Sequence, residues 1–182
     1  ITGKLLDSLD SMNGDIRSTV VYDNVTDAYY FTSKGGSFYS VQVVKTEEGW
    51  GFTNLWSVAL TNGVGGTPMS TCSPTVYNGR AYVGVSGAGQ FSSYSGHNIT
   101  VIDLNKKAIA YSVKTQGYPQ TSGLLSTAYE EESGYVYIYF FDNMTPGKLR
   151  VLRDKAGQTS ADYVTTEGSH TTAYALFIPT GD

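Results

Sequence analysis

An all-β fold built from repeated four-stranded units is predicted from three observations. Short β-prone runs recur in groups of four, turn-forming residues separate them, and two aromatic series keep a common spacing. The first series is Tyr22, Tyr77 and Tyr129, and the second is Trp56, Tyr111 and Tyr163. Both are spaced by 55 and then 52 residues, a coincidence that a random sequence rarely offers. The composition agrees. The 15 tyrosines suit a pleated, half-buried surface, because the ring packs while the hydroxyl reaches water, and the 21 glycines supply turns.

Each unit opens on a run that leads to an anchor tyrosine. Ser18-Thr-Val-Val-Tyr-Asp-Asn24 matches Ser73-Pro-Thr-Val-Tyr-Asn-Gly79, and Ser126-Thr-Ala-Tyr-Glu130 is a looser third copy, one residue shorter. Second strands follow at 28–32, 81–85 and 135–140. They are apolar almost throughout, as burial on both faces requires. Third strands follow at 37–43, 99–103 and 148–152, each after a Gly-containing connection. Fourth strands at 55–60, 108–113 and 160–164 carry Trp56, Tyr111 and Tyr163 at one shared point.

A four-stranded unit recurring about every fifty residues is the grammar of a β-propeller blade. A lone blade cannot cover both its faces, so neighbours stack. The chain is therefore expected to be a single partial β-propeller domain over 1–182, with blades at 18–60, 73–113 and 126–164. Residues 4–9 read as an orphan fourth strand and 172–178 as an orphan first strand, giving about three and a half blades and an incomplete ring. The chain begins at Ile1 without an initiator Met, which is read as a processed or truncated piece. A fragment of a longer propeller is preferred over a two-fold assembly that completes itself. Either way, open blade edges are expected to favour self-association.

The repeat words resemble the PQQ-like, quinoprotein-type β-propeller repeat family. The middle unit carries the likeness: Cys72-Ser-Pro-Thr-Val-Tyr-Asn-Gly-Arg-Ala-Tyr-Val-Gly84, then Ile99-Thr-Val-Ile-Asp-Leu-Asn105, then Ala108-Ile-Ala-Tyr-Ser-Val113. The resemblance implies the blade fold. Quinone-binding members hold their cofactor with a complete ring, an adjacent-cysteine disulfide and a calcium site. Cys72 is the only cysteine, so that disulfide cannot form, and a noncatalytic member with no cofactor is expected.

Charge and composition exclude several classes. With 12 scattered basic residues and a net charge of -4, the chain lacks the clustered cations of a nucleic-acid surface. No apolar run approaches membrane-spanning length, so membrane insertion is not expected. A low-Cys, acidic composition rich in Tyr, Ser, Thr and Asn suits an extracellular or cell-surface bacterial protein. The sequons at Asn24, Asn98 and Asn143 read as chance in so Asn- and Thr-rich a chain.

No catalytic residue and no metal site is expected. Cys72 has no base beside it and reads as a buried small residue. His97 and His170 read as exposed loop histidines without the partners zinc needs. Ser-His-Asp combinations are too numerous to single one out. Glu130-Glu-Glu132 reads as an acidic hairpin turn, and 142–147 as a turn without the alternating ligands of a calcium loop. The glycines of 84–89 precede no helix and so make no phosphate loop. The longest connection inside a blade spans 87–96. Its Phe91 and Tyr94, with the adjoining His97, are the ligand-binding candidates, since long loops on rigid scaffolds carry function.

The expected function is a noncatalytic binding or scaffold module of a larger extracellular bacterial protein, serving adhesion or the binding of a carbohydrate or protein ligand. A fragment of a quinone-dependent oxidoreductase is the alternative, and a carbohydrate-binding or hydrolytic propeller is a third reading.

Overall fold

The computed structural model describes residues 3–87 and 96–161 of the chain. Its regular structure is almost wholly strand, arranged in three antiparallel sheets. The first sheet is an up-and-down meander of β1 (Val21–Asp23), β2 (Ala28–Thr32), β3 (Ser37–Thr46) and β4 (Gly49–Ala59). The second has a split inner strand. β5 (Pro68–Met69) and β6 (Thr75–Tyr77) pair with opposite ends of β7 (Arg80–Gly87), which continues to β8 (His97–Asp103) and β9 (Ala108–Lys114). The third comprises β10 (Leu124–Ser126), β11 (Val136–Asp142) and β12 (Lys148–Asp154).

Local chemistry sets the turns. Asn78 and Gly79 both take positive φ, 47° and 74°, so β6 and β7 meet in the two-residue turn that matches strand twist. The first sheet uses a wider turn at the same place. Asp23 closes it by accepting from the Thr26 backbone N–H at 3.1 Å and the Thr26 hydroxyl at 2.6 Å.

Alternation along β7 shows how the sheets stack. Ala81, Val83 and Val85 pack on the first sheet against Ala28, Tyr30, Phe38 and Leu60. Tyr82 points the other way, into a cluster with Ile138, Phe140 and Leu152 of the third. Period-two geometry puts successive side chains on opposite faces, so β7 is buried on both and its residues are buried throughout. The sheets therefore stack in chain order as β-propeller-type blades, and the chain is all-β.

Gly84 sits where the Pro119 carbonyl presses onto β7, leaving no room for a side chain. The loop between β5 and β6 is stitched to both neighbouring strands. The Thr32 hydroxyl donates to the Cys72 carbonyl at 2.8 Å and the Ser70 hydroxyl to the Gly84 carbonyl at 2.8 Å.

The second aromatic series holds where it is described, whereas the first fails at Tyr129, which lies beyond the end of β10. Trp56 pairs with Ser40 and Tyr111 with Val101, and each stands immediately beside a register shift between its third and fourth strands. The two residues are equivalent, as their spacing predicts. Tyr163 lies outside the described residues.

Several expectations are corrected. Residues 4–9 form no strand. They belong to an irregular strap that seats Leu9 and Met12 on Phe31, Tyr39 and Val41, on the face of the first sheet turned away from the second. Asp7 holds the strap by accepting from the Phe52 N–H at 2.9 Å, and Asn13 by donating its N–H to the Tyr39 hydroxyl at 2.7 Å. A Leu-Leu pair suggested a strand, but both Leu5 and Leu6 are exposed. Glu130-Glu-Glu132 makes no hairpin turn: it forms the one-turn helix α1 (Glu130–Ser133), closed by Gly134 in the left-handed conformation. Tyr129 precedes that helix, and the inner strand of the third sheet ends at Ser126. Residues 160–161 are not in a strand, and the remainder of the fourth strand expected at 160–164 lies outside the described residues, as does 172–178.

Candidate functional site

The joint between the first and second sheets opens, at one end, into a cleft of about 340 Å³. One wall is the first sheet, with Tyr30, Ser40, Gln42, Asn54 and Trp56, and the other is the turn after β8, with Leu104, Asn105 and Lys107. The β3–β4 bulge creates the first wall. The register slips between Ser40 and Gln42, and Asn54 takes a positive φ of 50°, which leaves Asn54 and Trp56 both lining the cleft. Bulges commonly re-aim side chains in this way beside binding sites.

Trp56 is held by its neighbours. Its ring lies 6.4 Å from that of Tyr30 at 67° and 5.9 Å from that of Phe38. The polar lining is ordered by a hydrogen-bonded chain. The Tyr30 hydroxyl donates to Thr26 Oγ1 at 2.9 Å, Gln42 Nε2 donates to the Thr26 carbonyl at 3.1 Å, and Asn54 Nδ2 donates to Gln42 Oε1.

The opposite wall owes its shape to Asp103. Its carboxylate accepts from the Lys106 N–H at 3.0 Å and pairs with the Lys106 ammonium at 3.3 Å. The Asp103 carboxyl is held below its ordinary value by that backbone hydrogen bond. Lys106 is thereby turned away, and Lys107, at a φ of 53°, sets its ammonium 5.7 Å from the centre of the Trp56 ring. Such a contact is a cation–π interaction.

The joint between the second and third sheets has the same ground plan and opposite chemistry. Where Leu104 faces Ala28, Tyr30 and Trp56, Asp154 faces Arg80, Tyr82 and Tyr111. Asp154 is fully buried and accepts four hydrogen bonds. Arg80 supplies two, from Nε at 2.7 Å and Nη2 at 2.9 Å, and the hydroxyls of Tyr82 and Tyr111 supply two more at 2.8 and 2.7 Å. Arg80 also donates to the Gln158 carbonyl at 3.0 Å. Burial works against the charge on Arg80, and the Asp154 carboxylate more than restores it. Burial, then the Asp154 charge, push both phenols well above their ordinary value of 10.0. With both oxygens saturated, Asp154 has no capacity left for chemistry, and the network reads as structural.

The sequence-predicted candidates fall elsewhere. Phe91 and Tyr94 lie outside the described residues. His97 is the first residue of β8, at the far end of the second sheet from the cleft, and half-buried. Its Nδ1 lies 3.0 Å from the Ser86 hydroxyl, so it is an anchored strand residue and not the exposed loop histidine expected. Burial lowers its pKa, against the pull of the Asp142 carboxylate. Asp142 is itself buried and paired with Arg150 at 3.0 Å. Ser86 is wholly buried on β7, which denies it the access a nucleophile needs.

Cys72 is buried and free, and burial raises its thiol to about 11, so little thiolate exists near neutrality. Among the described residues, no group of three or more His, Cys, Asp or Glu side chains could hold a metal. No helix among them is long and apolar enough to cross a membrane.

No local pattern in the sequence singles out Gln42, Asn54 or Lys107. Trp56 stood out only as a repeat anchor. One signal was present: Trp56 is the only tryptophan in the anchor series, and Asn-Lys-Lys at 105–107 has no counterpart in the third unit.

Fold and cleft together define a β-propeller-type repeat with an open inter-blade joint. No protein-family model and no curated protein matches the chain. Among solved structures, it is similar to a europium-containing methanol dehydrogenase, with 14% sequence identity and a TM-score of 0.48, over 78% of this chain. The match spans 30% of that enzyme's chain, and nothing of its activity is carried over.

Proposed function

We propose that this chain is a noncatalytic binding module, part of a larger cell-surface or secreted protein, and that it takes a carbohydrate in the Trp56 cleft. One observation carries the reading: a cleft of about 340 Å³ with an indole and a phenol on one wall and amides and hydroxyls around them. That volume lies in the range of small-ligand sites. A sugar ring offers an apolar C–H face to an aromatic side chain and hydroxyls to amides at its edge. The supports of the site are rigid, since Trp56, Gln42 and Asn54 lie on strands within a sheet.

The test uses the protein's own fluorescence. Trp50 and Trp56 are its only tryptophans, and Trp50 is 50% exposed on the β3–β4 hairpin. In a Trp50→Phe background, emission reports on Trp56 alone. Titration with a panel of soluble oligosaccharides is expected to shift that emission saturably for at least one of them. The response should be lost in Gln42→Ala with circular dichroism unchanged. Failure of every saccharide to shift the emission would refute the proposal.

A further inference from the structure

Resting on that reading, we infer that the cleft selects a carboxylated sugar, of the uronic-acid class, through Lys107. Of the ten residues around the cleft, Lys107 is the only charged one, and none is Asp or Glu. This is a cation-only site on a chain whose net charge is -4. Lys107 has no carboxylate partner among the described residues, because Asp103 is taken by Lys106. Its ammonium rests instead against the Trp56 ring, 5.7 Å from the centroid. A cation parked on an aromatic face retains donors that can be turned toward an anion.

Position matters as much as charge. Lys107 belongs to the wall opposite the amide cluster of Gln42 and Asn54. A pyranose against Trp56 would offer hydroxyls to that cluster and a ring substituent to the opposite wall. A neutral hydroxymethyl group there would leave the ammonium uncompensated, whereas a carboxylate pairs with it. The surrounding negative charge of the chain sharpens the choice, since an anion is favoured only where a local cation answers it.

The experiment compares trigalacturonate with its neutral methyl ester, binding each to the full chain in the Trp50→Phe background and to the same chain carrying Lys107→Gln. The acid is expected to bind about fivefold more tightly than the ester at low salt, the scale of one partly exposed charge pair. That preference should shrink as salt rises. Lys107→Gln should abolish the preference, so that acid and ester bind the variant with equal affinity at every salt concentration, and circular dichroism should be unaltered. Equal binding of acid and ester would overturn the inference and leave the carbohydrate reading standing. Binding of neither would overturn the inference, and the carbohydrate reading falls with it when every saccharide of the panel also fails. Displacement of the acid by poly-glutamate at equal carboxylate concentration would identify an acidic peptide as the ligand and overturn the inference as well.

Discussion

The two joints between neighbouring sheets place equivalent positions in opposite chemical roles. In the first, Leu104 packs among apolar and aromatic side chains, and the end of the joint stays open as the Trp56 cleft. In the second, Asp154 draws Arg80, Tyr82 and Tyr111 around it. The void beside that network, lined by Tyr77, Arg80, Glu130 and Lys155, is only about 50 Å³. One blade repeat can therefore close the same joint or leave it open. The choice rests on a few side chains at the ends of the second, third and fourth strands.

The largest effect is expected from breaking the seal. Asp154→Ala leaves Arg80 buried without its counter-charge and should cost about 3–5 kcal/mol in urea unfolding. A loss below about 1 kcal/mol would show that the second joint does not depend on the network. The double variant Arg80→Met/Asp154→Leu, which gives this joint the chemistry of the first, should lose less than Asp154→Ala alone, because no unpaired charge remains.

In the apolar joint, Leu104→Ala should cost about 2–4 kcal/mol, through lost burial and the cavity left behind. The same unfolding experiment, with a cost matching that of an exposed leucine, would exclude Leu104 from the core. Single phenol deletions come next. Tyr82→Phe and Tyr111→Phe each remove one hydrogen bond to a buried carboxylate and should cost about 1.5–3 kcal/mol.

Alkaline pH separates the joints further. Tyr82, Tyr111 and Cys72 hold their protons to higher pH in the fold than in the unfolded chain. Their contribution is complete below the ordinary thiol value of 9.0 and is lost as pH rises beyond it, since only the unfolded chain then releases protons. Stability should fall steadily between about pH 9 and 11. Carrying both Tyr82→Phe and Tyr111→Phe should flatten the fall; a profile equally steep in that variant would assign the pH dependence elsewhere. The smallest effect belongs to the site. Lys107→Gln should change stability by no more than about 0.5 kcal/mol, because its side chain serves the cleft and not the core.

The residues explain what could be read beforehand. Trp56 and Tyr111 were legible as equivalents because the blade repeat imposes a period on the chain. The turn after Tyr77 has a local cause, since Asn-Gly is among the few dipeptides that tolerate two positive φ values in succession. The strap at 4–9 was misread, because Leu-Leu in a short apolar run scores as a strand whether or not a partner edge is within reach. The acidic triplet was misread because one helical turn needs no period to announce it. His97 was assigned to the loop it borders, and its bond to Ser86 depends on the pairing of β7 with β8.

The sequence by itself determined the all-β class and, in the first two units, the strand quartets and their phase. Those follow from local properties: β-branched and aromatic runs, alternation, and turn residues at fixed intervals. Only the tertiary structure decided which joint closes and which stays open. Asp154 lies 74 residues from Arg80 and 43 from Tyr111. Lys107 reaches Trp56 across the joint between the first and second sheets. Stacking places Asp154 and Leu104 at matching positions, and no local pattern marks one as a buried anion's seat and the other as the floor of a cleft. The physical reason is that burial, and with it the cost of a charge or the use of a cavity, belongs to the space between blades and not to any blade alone.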